Sequence, residues 1–234
     1  MRIHALFHVP FEGLGSIADW AKARGHPVSA TRLYESEALP PADAFDWLVV
    51  MGGPMSVLDE REYPWLVAEK RLIGEAIAAG RTVIGICLGA QMIAAVSGAR
   101  VRRNEYTEIG WFPVRTAGAA ATARAVLQAL PKSFDAFHWH GETFDLPAGA
   151  TLLGGSAACR NQGFLLGDRT LALQFHLETT RQGAEQLIAN ARRELVPGPF
   201  IQTAESMLSD DGRFARVNAL MGRVLDALAW GGAG

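Results

Sequence analysis

Apolar positions follow two rhythms along the first half of the chain. Short segments rich in Val, Ile and Leu predict strands at 3–9 (IHALFHV), 28–33 (VSATRL), 45–53 (FDWLVVMGG) and 82–86 (TVIGI). Between them, apolar residues recur at helical spacing over 14–24, 65–79 and 90–98, with Gly25, Gly80 and Gly98 at the ends. Strands alternating with helices predict an α/β fold, a doubly wound and mostly parallel sheet with helices flanking both faces. The rhythm then changes. Residues 99–115 and 134–147 read as extended segments with turns, and 151–178 as several short strands. Helical spacing returns over 180–195. A Pro-Gly-Pro break at 197–199 sets off a last segment, in which Phe214, Val217, Leu220, Met221, Val224, Leu225 and Leu228 form an i, i+3, i+4 stripe. The expected organisation is a domain over 1–196 and a C-terminal helical extension over 197–234 packed on it. The alternative use of the stripe is a surface for a partner.

Composition narrows the function classes. At 234 residues and 49% hydrophobic, the chain can bury a full core without disulfides or metals. A net charge of −2 with no basic block gives nucleic-acid binding no electrostatic support. No apolar run reaches the roughly 20 residues that span a bilayer, so no membrane partner is expected. Two cysteines, Cys87 and Cys159, are too few for a disulfide framework and fit a reducing compartment. The stretch MRIHALFHVPFEG lacks the apolar core and cleavage site of a secretion signal. A cytoplasmic protein is expected.

Candidate chemistry centres on VIGICLGAQMIA at 83–94. Cys87 ends a predicted strand, opens a predicted helix, and has Gly85 and Gly89 two residues to either side. That is the form of a nucleophile elbow, in which small neighbours leave room for a strained turn. The helix N-terminus beside the sulfur favours thiolate, and its free N–H groups can receive an oxyanion. An inert buried cysteine is the competing reading. A cysteine nucleophile needs a base and an orienting group. Of the six histidines, His176 stands out, because Glu178 at i+2 on an extended segment faces the same side. MGGPMS at 51–56 follows an apolar strand and can present backbone N–H groups. The other conspicuous residues read as structural: His4 and His8 on the first strand, Cys159, and Tyr106 and Trp111 as packing residues. PFEG at 10–13 could rim a cleft. His138, His140 and His176 could be imagined around a metal, but a triad accounts better for His176, and neither a metal nor a cofactor is expected.

These three elements, in this order, resemble the class I (triad-type) glutamine amidotransferases over roughly residues 1–190. GICLGAQ at 85–91 matches the family's G-x-C-x-G-x-Q, and GGP at 52–54 its oxyanion-strand motif. QFHLE at 174–178 matches Q-F-H-P-E with Leu177 for the proline, and HWHGE at 138–142 is similar to S-H-G-D, with Trp139 for the serine and Glu142 for the aspartate. Within the family the chain looks most like stand-alone proteins similar to the amidotransferase domain of GMP synthase.

The resemblance implies a flavodoxin-like fold and a set of roles. Cys87 is the nucleophile, His176 the base, and Glu178 the residue that orients it. The N–H groups of Gly53 and Leu88 form the oxyanion hole, and Gln91 and the backbone around Trp139 and His140 hold the substrate. The implied activity is hydrolysis of the γ-carboxamide of glutamine, or of a related γ-glutamyl amide, through a cysteine thioester that releases ammonia or an amine. The altered HWHGE leaves a stand-alone γ-glutamyl peptide or amine hydrolase open. A non-catalytic binding protein on the same fold and a peptidase-type cysteine hydrolase also stay open. No phosphate loop and no SGGxDS motif is present. An ammonia-using reaction would therefore need a separate synthetase subunit.

Overall fold

The structure, a computed structural model, describes residues 1–118 and 124–231. Chain order is β1 (Ile3–Phe7), α1 (Ser16–Ala23), β2 (Val28–Arg32), β3 (Trp47–Val50), α2 (Trp65–Ala78), β4 (Thr82–Ile86), α3 (Leu88–Val96), β5 (Val101–Thr116), α4 (Arg124–Ala129), β6 (Ser133–Phe144), β7 (Ala150–Gly155), β8 (Gly163–Leu166), β9 (Thr170–Leu173), α5 (Arg181–Ala191), α6 (Ala204–Met207) and α7 (Asp211–Gly231). The strands form one sheet in the order β2-β1-β3-β4-β9-β8-β7-β5-β6. It is parallel from β2 to β9 and antiparallel from β9 to β6. Two packing regimes explain the two rhythms of the sequence. β3 and β4 are buried at every position because helices cover both faces, so they read as continuous apolar runs.

Side-chain alternation divides the core between the two faces. Ile3, Ala5, Val49, Ile84 and Ile86 pack with α1, α5 and α7. Leu6, Leu48, Val50 and Val83 pack with α2 and α3. The stripe on the last segment lies wholly in the first cluster, its seven residues buried against the domain. Each is worth roughly 1.5–3 kcal/mol of burial, which makes α7 part of the core. It touches α1, α4 and β6.

The middle of the chain differs most from its sequence reading. Residues 99–115 and 134–147 become one long antiparallel ribbon, β5 with β6, whose register shifts between Arg103 and Glu108. The short helices α4 and α6 carry no periodic signal that sets them apart in the sequence. The predicted strand running into His176 stops early, at Leu173. There the Leu173 carbonyl accepts from the Cys87 N–H at 2.8 Å. The chain then leaves β4 and crosses to β6, where His176 forms an isolated antiparallel bridge with Phe137. This crossing carries His176 over Cys87. No helix among the described residues is long and apolar enough to cross a membrane.

Candidate active site

One residue, Cys87, separates β4 from α3. It sits at the N-cap of α3 with φ 52° and ψ −105°, a conformation that costs a side-chain-bearing residue about 1–3 kcal/mol. Close packing explains the flanking glycines. A Cβ on Gly85 would collide with the backbone of Gly89 and Ala90, and one on Gly89 with the Val50 carbonyl of β3. Gly89→Ala is therefore expected to lower stability by about 3 kcal/mol, read from urea denaturation. An unchanged midpoint would show that α3 can move off the sheet.

His176 and Glu178 meet beside the cysteine. His176 Nδ1 donates to Glu178 Oε1 at 2.6 Å, and both side chains are almost fully buried. The imidazole also interacts with the Cys87 sulfur. Burial opposes a charge on His176, but the Glu178 carboxylate and Cys87 outweigh it and hold the pKa well above the ordinary value. Leu177, where the resemblance expects proline, is fully buried. Backbone restraint comes from elsewhere. Asn218 of α7 donates from Nδ2 to the carbonyls of Leu177 (2.9 Å) and Thr179 (2.8 Å), and the Ser16 N–H donates to the carbonyl of Glu178 at 2.8 Å.

The glycine turn after β3 packs against this pair. A Cβ on Gly52 would collide with the Glu12 carboxylate and touch the Cys87 side chain, and one on Gly53 would press on His8, Met55 and Leu88. His8, at the end of β1, donates from Nδ1 to the Gly52 carbonyl at 2.9 Å, while its Nε2 meets Glu69 at 2.8 Å. In a trans peptide the C=O and N–H point in opposite directions. Holding the Gly52 carbonyl toward His8 thus turns the Gly53 N–H away from it. Burial works against a charge on His8, yet Glu69 raises its pKa. His8 thereby fixes the Gly52–Gly53 peptide, a contact that the sequence did not suggest. His4 is structural, bonded to Ser29 and Thr31. The Leu88 N–H lies in the first turn of α3, where helix geometry leaves donors free.

A cleft of about 540 Å³ opens over Cys87. The expected substrate-binding residues all line it. Gln91 is buried and donates to Gln174 Oε1 at 3.2 Å. The Trp139 carbonyl lies 3.5 Å from Cys87 Sγ, and the Trp139 indole N–H bonds Glu194 at 2.9 Å. His140 lines the wall and donates from Nδ1 to the Glu142 carbonyl. Phe11 and Glu12 supply the rim expected from PFEG. Charged residues on the cleft wall are Glu12, Glu105, Glu142 and Glu194 against Arg103. Burial, reinforced by Glu178 and Glu194 against the pull of His176 and His8, raises the pKa of Glu12. Tyr106 and Trp111 lie outside the lining. Trp111 is a core residue bonded to the Met207 carbonyl, and Tyr106 is partly exposed against Phe200. Cys159 is buried beside Thr143, and burial pushes its thiol up.

Sequence reasoning missed Gln174 beside the cysteine, Glu194 on the cleft wall and Asn218 behind the Glu178 segment. Only Gln174 carried a signal, its place two residues before His176, and its Nε2 lies 3.7 Å from Cys87 Sγ. His138 and His140 do not group with His176. Among the described residues, the group of metal-ligating type is Glu108, His138 and His140.

The geometry agrees with the comparisons. The family model described as glutamine amidotransferase class-I matches residues 15–193. The chain belongs to the class I glutamine amidotransferase family. It is 37% identical to the glutamine amidotransferase-like protein YfeJ of Salmonella typhimurium, over 97% of both chains. A solved glutamine amidotransferase of Thermotoga maritima superposes with a TM-score of 0.88 at 30% identity, covering 97% of each chain. The glutamine-hydrolysing GMP synthase of Vibrio vulnificus is 25% identical over 70% of this chain, which spans only 30% of that longer protein.

Proposed function

We propose that the protein hydrolyses the γ-carboxamide of glutamine or a related γ-glutamyl amide through a thioester on Cys87. The observation that carries this reading is a strained cysteine at a helix N-terminus, in contact with a histidine whose far nitrogen is bonded to a buried glutamate. Cys87 attacks the amide carbon after its thiol proton has passed to His176. The developing oxyanion is received by the N–H groups of Gly53 and Leu88. His176 then protonates the departing nitrogen, and ammonia or an amine leaves. Water, deprotonated by the same ring, cleaves the thioester to a free γ-carboxylate. Glu178 holds His176 in place and stabilises its charged form. Gln91 and the backbone around Trp139 and His140 hold the substrate. Released ammonia would serve a synthetase only if a separate subunit docks.

A second reading concerns the leaving group. Four glutamates line the cleft against Arg103 and the His176 ring, and the surplus of acid favours an amide whose amine part is cationic. The test is a panel of glutamine, a γ-glutamyl diamine and a γ-glutamyl dipeptide, with glutamate release as readout. Both readings expect release. The acidic wall predicts a higher kcat/KM for the diamine than for the dipeptide, and an excess that shrinks with added salt. No glutamate from any of them, alone or with candidate synthetases, would sink the hydrolase reading.

A further inference from the structure

A second group of chemistry-bearing side chains lies beside the cleft. Glu108 on β5 is directly opposite His140 on β6, and His138 is two residues along the same strand face. The three side chains are essentially without solvent contact. Each imidazole is oriented from behind by a backbone carbonyl: His138 Nε2 donates to Phe112 at 3.2 Å, and His140 Nδ1 to Glu142 at 3.0 Å. A carbonyl only accepts, so these nitrogens carry the protons. In a neutral ring the other nitrogen presents a lone pair. Both such nitrogens face one carboxylate oxygen, His138 Nδ1 at 3.5 Å and His140 Nε2 at 3.2 Å from Glu108 Oε2. His140 Nε2 and Glu108 Oε1 are buried with no hydrogen-bond partner. Gln162 Nε2 donates to Glu108 Oε2 at 2.6 Å and to His138 Nδ1 at 3.4 Å, and Ser156 Oγ donates to the same carboxylate oxygen at 3.1 Å. These donors orient the carboxylate without bringing positive charge.

A carboxylate and imidazole lone pairs thus converge in a dry pocket, where a cation offsets what burial costs. Two of the three ligand spacings fit one, and all three ligand atoms lie within 4.8 Å of one another. Ligands at about 2.0–2.1 Å around tetrahedral zinc stand about 3.3 Å apart, against 3.2 and 3.5 Å here.

We propose that Glu108, His138 and His140 form a binding site for a divalent cation of the zinc type. The Phe112 and Glu142 carbonyls are the outer partners that fix the two tautomers. The cation would pin β6 where the Trp139 carbonyl faces Cys87, so its role is to stiffen the cleft wall. The competing source of charge is a proton on His140.

The test uses tag-free, chelator-stripped protein titrated with Zn²⁺ followed by calorimetry, and with Co²⁺ followed by its visible absorption. Both are repeated in a Cys87→Ala background to remove thiol binding. The expected result is one equivalent bound in either background, a raised Tm with Zn²⁺, and affinity at least tenfold weaker in Glu108→Gln. Ser156→Ala, which removes an orienting partner, should weaken binding by about 10-fold. Circular dichroism identifies any variant that fails to fold, and Glu108→Gln, nearly isosteric, is the deciding one. Absence of stoichiometric binding, or equal binding by Glu108→Gln, overturns the proposal in favour of the proton.

Discussion

The Cys87→Ala variant is expected to release no measurable glutamate from any γ-glutamyl amide that the native protein cleaves. Loss of a nucleophile from a concerted set costs on the order of 10⁶ in kcat, which puts the residual rate below detection. Loss of stability cannot explain that outcome, because the substitution leaves the fold's demands on this position unchanged. The sulfur faces the cleft and alanine can hold the same φ of 52°. A second substitution makes the case sharper. Cys87→Gly should be equally inactive yet up to about 2 kcal/mol more stable, since glycine relieves most of the 1–3 kcal/mol stored at such a φ and returns part of it as chain entropy. A cysteine kept here for packing would show the reverse: retained turnover and no gain on removing the strain. Reaction of the native protein with a diazoketone analogue of glutamine should add mass at Cys87 and at no other residue. Cys159 is the internal control, buried and bonded to Thr143.

The sequence exposes those parts of the site that obey local rules. Two glycines around one cysteine are a steric requirement that can be read within five residues, and the structure shows which backbone atoms impose it. His176 and Glu178 are legible because they are two residues apart in extended chain. The strand itself ends sooner than the apolar run suggests, and the pair stays aligned because a bridge to Phe137 holds His176. The unseen parts are joined over long distances. Asn218 reaches the Glu178 segment from 39 to 41 residues away, Trp139 meets Glu194 across 55, and His8 meets Glu69 across 61. Periodicity carries no information about such pairs, because they depend on which helix lies over which strand end. The parallel half of the sheet is readable from its doubly covered strands. The β5–β6 ribbon is not, since its register shift between Arg103 and Glu108 breaks the alternation that would reveal it.

Leu177 shows how the tertiary structure replaces a local device. Proline between the histidine and the glutamate would restrain the backbone by itself. Here the restraint is spread over Asn218 and Ser16, which hold three successive carbonyls. The last helix is thereby tied to the site as well as to the core.

That arrangement makes Glu178→Gln the most informative substitution after the cysteine. Glutamine keeps the shape and an oxygen able to accept from His176 Nδ1, so the ring stays in place while the negative charge is lost. Glu178 is a positioning and charge-stabilising residue in the proposed reaction, and its neutralisation should lower kcat/KM by roughly 10²–10⁴-fold. The pH profile distinguishes this from a structural defect. His176 is held well above its ordinary pKa because the carboxylate and the sulfur favour imidazolium over the opposing effect of burial. The native protein should therefore keep the protonated ring to a pH well above the usual histidine range, and lose activity only beyond it. With the carboxylate neutralised, burial acts with one opponent fewer and the pKa falls. The alkaline limb of the kcat/KM profile should then move to lower pH. A merely structural glutamate would lower activity by the same factor at every pH. An alkaline limb that stays where it is in Glu178→Gln, with the protein folded by circular dichroism, would remove Glu178 from the mechanism and leave Cys87 and His176 as a dyad.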